Sequence, residues 1–208
     1  MLSITTLASF GVSAFVLCLA PGPDNLFVLT QSVMYGRKAG VMVSLGLCTG
    51  LIFHTALVAF GVAAIFQHSA LAFTLLKMVG AGYLLWLGWQ AWRSAPETLS
   101  GSPDSASPLG ALYRRGILMN ISNPKVSLFF LAFLPQFVSR DAGPLLPQFF
   151  ALGGIFMLLT IIVFGGIALA ASALTSWFLH SGARQVYLNK VSALILFAIA
   201  LRLLTLAQ

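Results

Sequence analysis

The chain has 208 residues, of which 59% are hydrophobic and 7% charged, a balance that excludes a soluble globular protein with a polar surface. The net charge of +7 does not indicate a nucleic-acid partner, because the eleven Lys and Arg residues stand singly or in pairs between apolar runs. The two cysteines, Cys18 and Cys48, lie inside apolar stretches and predict neither a disulfide framework nor a metal site. We therefore predict an all-α polytopic membrane protein without a cofactor.

A membrane-spanning helix needs roughly 20 predominantly apolar residues, and the chain offers about six such segments. They run approximately from Thr5 to Met34, Gly40 to Phe66, Ala70 to Trp92, Leu112 to Val138, Leu146 to Ser176 and Val186 to Leu206. A stretch rich in Ser, Pro and Gly separates the third segment from the fourth and predicts a hydrophilic linker. The predicted organisation is a three-helix unit at 1–95, a cytoplasmic linker at 96–110 and a second three-helix unit at 111–208. Gln67-His68-Ser69 is the predicted turn between the second and third helices.

The first predicted span is interrupted by Pro21-Gly22-Pro23, which is followed by Asp24 and Asn25. Proline removes a backbone donor and clashes with the preceding helical turn, so we expect the helix to open here. In lipid, the backbone groups freed by an opened helix need protein or a watery cavity around them. A broken span that carries an acid is therefore a candidate functional site. The alternative is a kink that serves only packing.

The fourth predicted span contains a second break, at Pro124, and Pro124-Lys125 matches Pro23-Asp24 of the first span. Each pair lies in the first helix of its half. Because each half has three helices, a repeat between the halves must be inverted in the membrane, which is a recurring transporter design. Chance similarity among apolar helices is the alternative.

The depths of Asp24 and Lys125 indicate that the two charges can meet. With Arg37 and Arg115 as cytoplasmic anchors, Asp24 lies about 20 Å and Lys125 about 15 Å along the helices, near the middle of a core of about 30 Å. Neither charge reaches water easily, so each needs a partner. An acid beside a base suits a zwitterion, whose ammonium binds the acid and whose carboxylate binds the base and a helix N-terminus.

Polar side chains near the two breaks complete a candidate substrate site. The residues predicted to contact substrate are Asp24, Asn25, Gln31, Asn123 and Lys125. Proton coupling is assigned to Asp24, and His54 is the second candidate because histidine titrates near neutral pH. The sequence alone favours a structural role for His54, in which the side chain is hydrogen-bonded to a neighbouring backbone group. The small-xxx-small pairs Gly36/Gly40 and Gly46/Gly50 allow close helix packing, and they also allow a homo-oligomer contact.

Several motifs resemble a known family. They are Pro21-Gly22-Pro23, the glycines at 36, 40, 46 and 50, the stretch from Leu76-Lys77 through Gly80, Tyr83-Leu84 and Gly88 to Arg93, and Asn123-Pro124-Lys125 with Phe129 and Leu134-Pro135-Gln136-Phe137. Over its whole length the chain resembles the LysE/RhtB superfamily of bacterial amino-acid exporters, above all its homoserine and threonine efflux branch. The resemblance implies an inner-membrane exporter with about six spans, driven by the proton gradient, that moves small amino acids or their derivatives outward. The family often has Asn at the position of Asp24, so Asp24 either couples protons or tunes the choice of substrate.

Two other functions compete with amino-acid export. A divalent-cation exporter of related architecture would need several carboxylates or a Cys/His cluster, whereas Asp24 is the one acid in the predicted spans. An intramembrane enzyme would need a nucleophile with a base or a metal ligand set, and the sequence has no H-E-x-x-H, G-x-S-x-G or acid dyad. Threonine, homoserine, homoserine lactone, leucine and basic amino acids all remain open as substrates.

The distribution of basic residues predicts the orientation. Loops one, three and five carry Arg37, Lys38, Arg93, Arg114, Arg115, Arg184 and Lys190, against Arg140 and Arg202 on the other side. These three loops are therefore expected to face the cytoplasm, and both termini the periplasm.

This topology is testable with single cysteines at positions 68 and 105. A membrane-impermeant thiol reagent added to intact cells is expected to label His68→Cys, which lies on the predicted outer side, and to leave Ser105→Cys unmodified. Labelling of Ser105→Cys from the periplasm would reverse the orientation.

Overall fold

The computed structural model describes residues 2–20, 22–62, 70–94, 107–171 and 182–205, and within these ranges it contains helices and no strand. The α-helices are α1 (Ile4–Leu19), α2 (Pro23–Tyr35), α3 (Arg37–Leu57), α4 (Ala70–Arg93), α5 (Leu109–Ile121), α6 (Pro124–Leu128), α7 (Leu145–Leu169) and α8 (Gly182–Thr205). π-helical turns extend α3 over Val58–Val62 and α6 over Phe129–Phe133, and two 3-10 turns follow at Leu134–Phe137 and Arg140–Ala142. The predicted all-α class is confirmed.

Three helical segments are long and apolar enough to cross a membrane: Arg37–Gly61, Leu145–Leu169 and Gln185–Thr205. Two further spans result if each bent pair, α1 with α2 and α5 with the segment Pro124–Phe137, counts as one span. The described residues thus support a multi-pass membrane protein with three to five candidate spans. Helix α4 has 24 residues but is not among these candidates, so the sixth span stays a prediction. The predicted turn at 67–69, most of the linker and the predicted end of the fifth helix lie outside the described residues.

Both predicted breaks coincide with bends of the chain. The bend is 57° between α1 and α2 and 48° between α5 and the segment that begins at Pro124. Pro23 and Pro124 each lie at the start of the second helix of the pair, where a missing amide costs no intrahelical hydrogen bond. The prolines therefore begin new helices, while Pro21 itself lies outside the described residues.

Helix α3 is the centre of the bundle and packs against α2, α5 and α7, while α4 packs against α8. Gly36 has φ +85°, a conformation that favours glycine, and it joins α2 directly to α3. Gly46 meets the backbone of Tyr113 and Gly116, so α3 and α5 approach at backbone distance. Gly40 and Gly50 likewise face Ser32 and Asn120 of the same chain, so these glycines serve packing inside the bundle.

Phenylalanine rings fill the space behind the second break. Phe129 lies 4.9 Å from Phe133 and 5.4 Å from Phe156 between ring centroids, and Phe10 lies 5.3 Å from Phe137. Four of these rings are at most 3% exposed: Phe10, Phe129, Phe133 and Phe156. They bring α1 and α7 against the turns that follow α6. This packing holds the short helix α6 in place although it is only five residues long.

The close approach of α3 and α5 gives a stability prediction. A Cβ at Gly116 would lie 2.5 Å from the Val43 carbonyl oxygen, so Gly116→Ala is expected to lower the free energy of unfolding by about 1–3 kcal/mol. The matched control is Gly154→Ala on α7, where an added Cβ meets nothing within 4 Å. The unfolding temperatures of both purified variants are measured in detergent, with thermal unfolding monitored by size-exclusion chromatography. Equal unfolding temperatures for the two variants would contradict the packing.

Candidate functional site

The two helix breaks are joined by one side chain. The buried Lys125, in the first turn of α6, donates a hydrogen bond from Nζ to the carbonyl oxygen of Ala20 at 3.0 Å. Ala20 is the residue at which α1 ends. Gly22 makes this approach possible, because a Cβ there would lie 2.9 Å from Lys125 Nζ. The ammonium of the second break therefore rests on the backbone of the first.

Carbonyl groups at a helix end have lost their intrahelical donors and need other partners inside a membrane. At the end of α1, Lys125 supplies a donor to Ala20, and the side-chain amide of Asn25 donates to the Cys18 carbonyl at 2.7 Å. At the second break, Asn123 caps α6 by accepting the Lys125 backbone N–H at 3.0 Å. Three predicted substrate-binding residues thus also stabilise the opened backbone.

Asp24 lies in the first turn of α2, where the helix dipole stabilises negative charge, and only 2% of its surface is exposed. It is close enough to Lys125 to interact electrostatically, but the Lys125 hydrogen bond goes to Ala20. The hydrogen bond of Lys125 therefore goes to a backbone carbonyl and not to Asp24, the partner expected from their common depth. The reason is local: the freed carbonyl of Ala20 needs a donor as much as Asp24 needs a cation.

Buried polar atoms without a hydrogen-bond partner gather around the breaks. Within the described residues they are Asp24 Oδ1, Asn25 Oδ1, His54 Nδ1, Asn120 Oδ1 and Asn123 Nδ2. A buried polar atom left unpaired costs about 1–3 kcal/mol, and native proteins usually reserve such atoms for water, a ligand or chemistry. The group contains both acceptors and a donor, as a zwitterionic ligand requires.

Two cavities meet at Lys125. The inner cavity is small, about 10 Å³, which is roughly one water position. Its lining residues are Leu17, Cys18, Asp24, Asn120, Lys125, Val126, Phe156, Thr160 and Phe164. In it, Cys18 Sγ lies 3.6 Å from Thr160 Oγ1. The inner cavity therefore gathers residues of both breaks and of α7.

The outer cavity is a cleft of about 450 Å³, within the range of small-molecule sites. It is lined by Gly22, Pro23, Leu26, Tyr83, Trp86, Leu87, Gln90, Ala91, Ser94, Asn123, Pro124, Lys125, Gln185, Asn189 and Leu196. Lys125 lines both cavities, whereas Asp24 lines the inner one alone. Lys125 thus forms the boundary between an open cleft and the buried acid.

His54 lies outside both linings. Its Nε2 is 3.1 Å from the Asn120 carbonyl oxygen, and its ring lies 5.7 Å from those of Phe53 and Phe130. The backbone hydrogen bond that the sequence favoured for this residue is present. His54 thus contacts Asn120, a residue that lines the inner cavity together with Asp24.

Gln31 is half-buried on α2 and lines neither cavity. Helices α4 and α8 contribute polar residues to the cleft that were not predicted from the sequence: Tyr83, Trp86, Gln90, Gln185 and Asn189. A helical period could have found them, because positions 83, 86 and 90 share one face of α4, and 185 and 189 share one face of α8.

A metal centre has no obvious ligand set in the described part of the chain, which contains no group of three or more His, Cys, Asp or Glu side chains able to hold an ion. The described lining of the inner cavity contains one carboxylate and one ammonium. Divalent cations prefer several oxygen or imidazole ligands, so this arrangement suits a zwitterion better than a metal ion.

Comparisons with known proteins agree with the resemblance seen in the sequence. The family model of the LysE type translocator matches residues 15–207. A homoserine/homoserine lactone efflux protein of Salmonella typhimurium is 35% identical over 166 residues, which are 80% of each chain. A leucine efflux protein of Enterobacter is 31% identical over 76% of this chain and 78% of its own. An uncharacterized membrane protein of Vibrio cholerae is 40% identical over 77% and 78%.

No solved structure matches the chain. The family match covers almost the whole sequence, including both helix breaks and the described residues that line the cleft. Together with the homologous efflux proteins it confirms the resemblance, and the chain belongs to the LysE family of translocators.

Proposed function

We propose that the protein is a secondary transporter of the bacterial inner membrane that exports small amino acids or their derivatives, in the class of homoserine, homoserine lactone, threonine and leucine. The observation that carries this proposal is Lys125, whose ammonium stands between the 450 Å³ cleft and the inner cavity of Asp24. The names of the homologous efflux proteins support the direction and the substrate class.

Substrate binding follows from the donors and acceptors on either side of Lys125. The substrate carboxylate, or the ring carbonyl oxygen of a lactone, enters through the cleft, accepts a hydrogen bond from the Lys125 ammonium and replaces the Ala20 carbonyl as its partner. The substrate ammonium turns toward Asp24 Oδ1, and Asn123 Nδ2 serves as a further donor to the substrate carboxylate. Asn25 acts indirectly, because its amide holds the end of α1 through the Cys18 carbonyl.

Proton coupling is assigned to Asp24. When Lys125 engages a substrate carboxylate, Asp24 loses part of its electrostatic partner. A buried carboxylate that loses its counter-charge is stabilised by a proton. Uptake of a proton would then accompany release of the substrate ammonium, which links proton entry to export. His54 is the second candidate, through its contact with Asn120.

The proposed architecture is six spans in two inverted repeats, 1–95 and 111–208, joined by a cytoplasmic linker at 96–110, with both termini in the periplasm. Two features of the described residues support it, the order of helices within each half and the contacts between corresponding helices. Each half begins with a helix pair bent before a proline, continues with a long helix, α3 or α7, and ends with a further helix, α4 or α8. The corresponding helices α3 and α7 contact each other, as do α4 and α8. An experimental structure in which the halves superpose by a two-fold axis in the membrane plane would establish the repeat, and a parallel relation would refute it.

The central pair can be tested by a double-mutant cycle on efflux, with Asp24→Asn, Lys125→Gln and their combination. Lys125→Gln leaves the buried Asp24 without a cation, so we expect it to reduce efflux and membrane abundance more than the double variant does. The coupling energy is expected to be about 0.5–3 kcal/mol. Additive effects would show that the two residues do not interact.

Matched controls are Asp141→Asn and Lys38→Gln, which remove the same charges from exposed positions. Both are expected to export like the unchanged protein. The pH dependence of export separates the roles of Asp24: normal export by Asp24→Asn at every pH would move proton coupling to another residue, with His54→Gln the next variant to measure.

A further inference from the structure

The cleft has two chemically different walls. The wall formed by the helix breaks contains Lys125, which carries the one charge among the described residues that line the cleft. The second wall is formed by α4 and α8 and contains three carboxamides, from Gln90, Gln185 and Asn189. A carboxamide both donates and accepts hydrogen bonds, so this wall can pair with an uncharged polar group of either kind.

The α4 side adds two aromatic rings to the amides. Tyr83 and Trp86 lie 5.2 Å apart between ring centroids, and Gln90 follows one helical turn after Trp86 on the same face. On α8, Gln185 and Asn189 are four residues apart and share a face in the same way. The wall thus combines apolar ring surface with amide groups, as a pocket for a short, partly polar side chain requires.

We propose that this wall, defined by Tyr83, Trp86, Gln90, Gln185 and Asn189, is the side-chain pocket that selects the substrate. The proposal rests on the proposed function and specifies its substrate class. The substrate is an amino acid or derivative held by Lys125 at its carboxylate or lactone carbonyl, with a neutral side chain or ring that presents a hydroxyl or other oxygen to the amides.

The charges of the cleft explain why a basic side chain is disfavoured. A lysine or arginine substrate would bring a second cation to a cleft in which Lys125 is already positive and in which the described lining residues include no carboxylate. A cation in such a site lacks a counter-charge and remains only partly solvated. A hydroxyl, by contrast, exchanges its water hydrogen bonds for those of Gln90 and Asn189.

The test uses two substrates that differ in one group. Homoserine and norvaline have side chains of the same length, and homoserine has a hydroxyl where norvaline has a methyl. Gln90→Leu and Asn189→Leu are expected to lower the ratio of homoserine to norvaline efflux from preloaded cells by roughly three- to tenfold, the effect of one lost hydrogen bond. Norvaline efflux itself is expected to continue. Because the two variants lie on different helices, each tests the pocket independently.

The controls are Trp89→Leu and Tyr187→Leu, which lie on the same two helices, are 54% and 68% exposed and do not line the cleft. Both are expected to keep the original ratio. A third variant, Gln90→Glu, adds a carboxylate to the described lining and is expected to raise lysine efflux relative to homoserine. Immunoblots of membranes confirm that each variant is present.

Two outcomes would overturn the pocket. One is an unchanged homoserine to norvaline ratio in both Leu variants, whether or not the efflux of the two substrates falls equally. The other is an equal change of the ratio in the controls. If the unchanged protein exports neither amino acid, the proposed function fails first. An unchanged protein that exports both, with variants that do not alter the ratio, contradicts the side-chain pocket alone.

Discussion

The hydrogen bond from Lys125 to the Ala20 carbonyl is the interaction on which the rest of the site depends. An open helix inside a membrane has free carbonyls, and a lysine inside a membrane has an ammonium that needs a partner. In this chain the Lys125 ammonium at the second break is therefore paired with the Ala20 carbonyl freed at the first break. The bond also explains Gly22, where a side chain would collide with the ammonium, and it fixes α6 against the end of α1.

A ligand can use the same ammonium because Lys125 is not fully enclosed. It lines the cleft on one side and the cavity of Asp24 on the other, so a carboxylate that enters the cleft competes with one backbone carbonyl. A charged acceptor forms a stronger hydrogen bond with an ammonium than a neutral one does. Substrate binding would then release the end of α1 from its tie to α6, which is a physical route from binding to movement of the two bent helix pairs.

The sequence predicted the positions of the breaks well because proline acts locally. Pro23 and Pro124 each begin a helix, and counting residues from the basic anchors brought Asp24 and Lys125 to a common depth. The partner of Lys125 was not predictable in this way, because the bend angle decides which carbonyl is freed and where it points. Gln31 has suitable chemistry near Asp24 but lines neither cavity. The reason is that counting residues along a helix estimates the depth of a side chain but not the direction in which it points. Gln90 and Asn189 were not predicted because they lie near helix ends, where polar residues are common at the membrane interface and do not by themselves indicate a site.

The most direct measurement of the central claim is an experimental structure with homoserine bound. We expect the homoserine carboxylate to lie within about 2.7–3.2 Å of Lys125 Nζ, with the Ala20 carbonyl displaced from the ammonium. A structure in which homoserine binds elsewhere, while Lys125 still donates to Ala20, would contradict it.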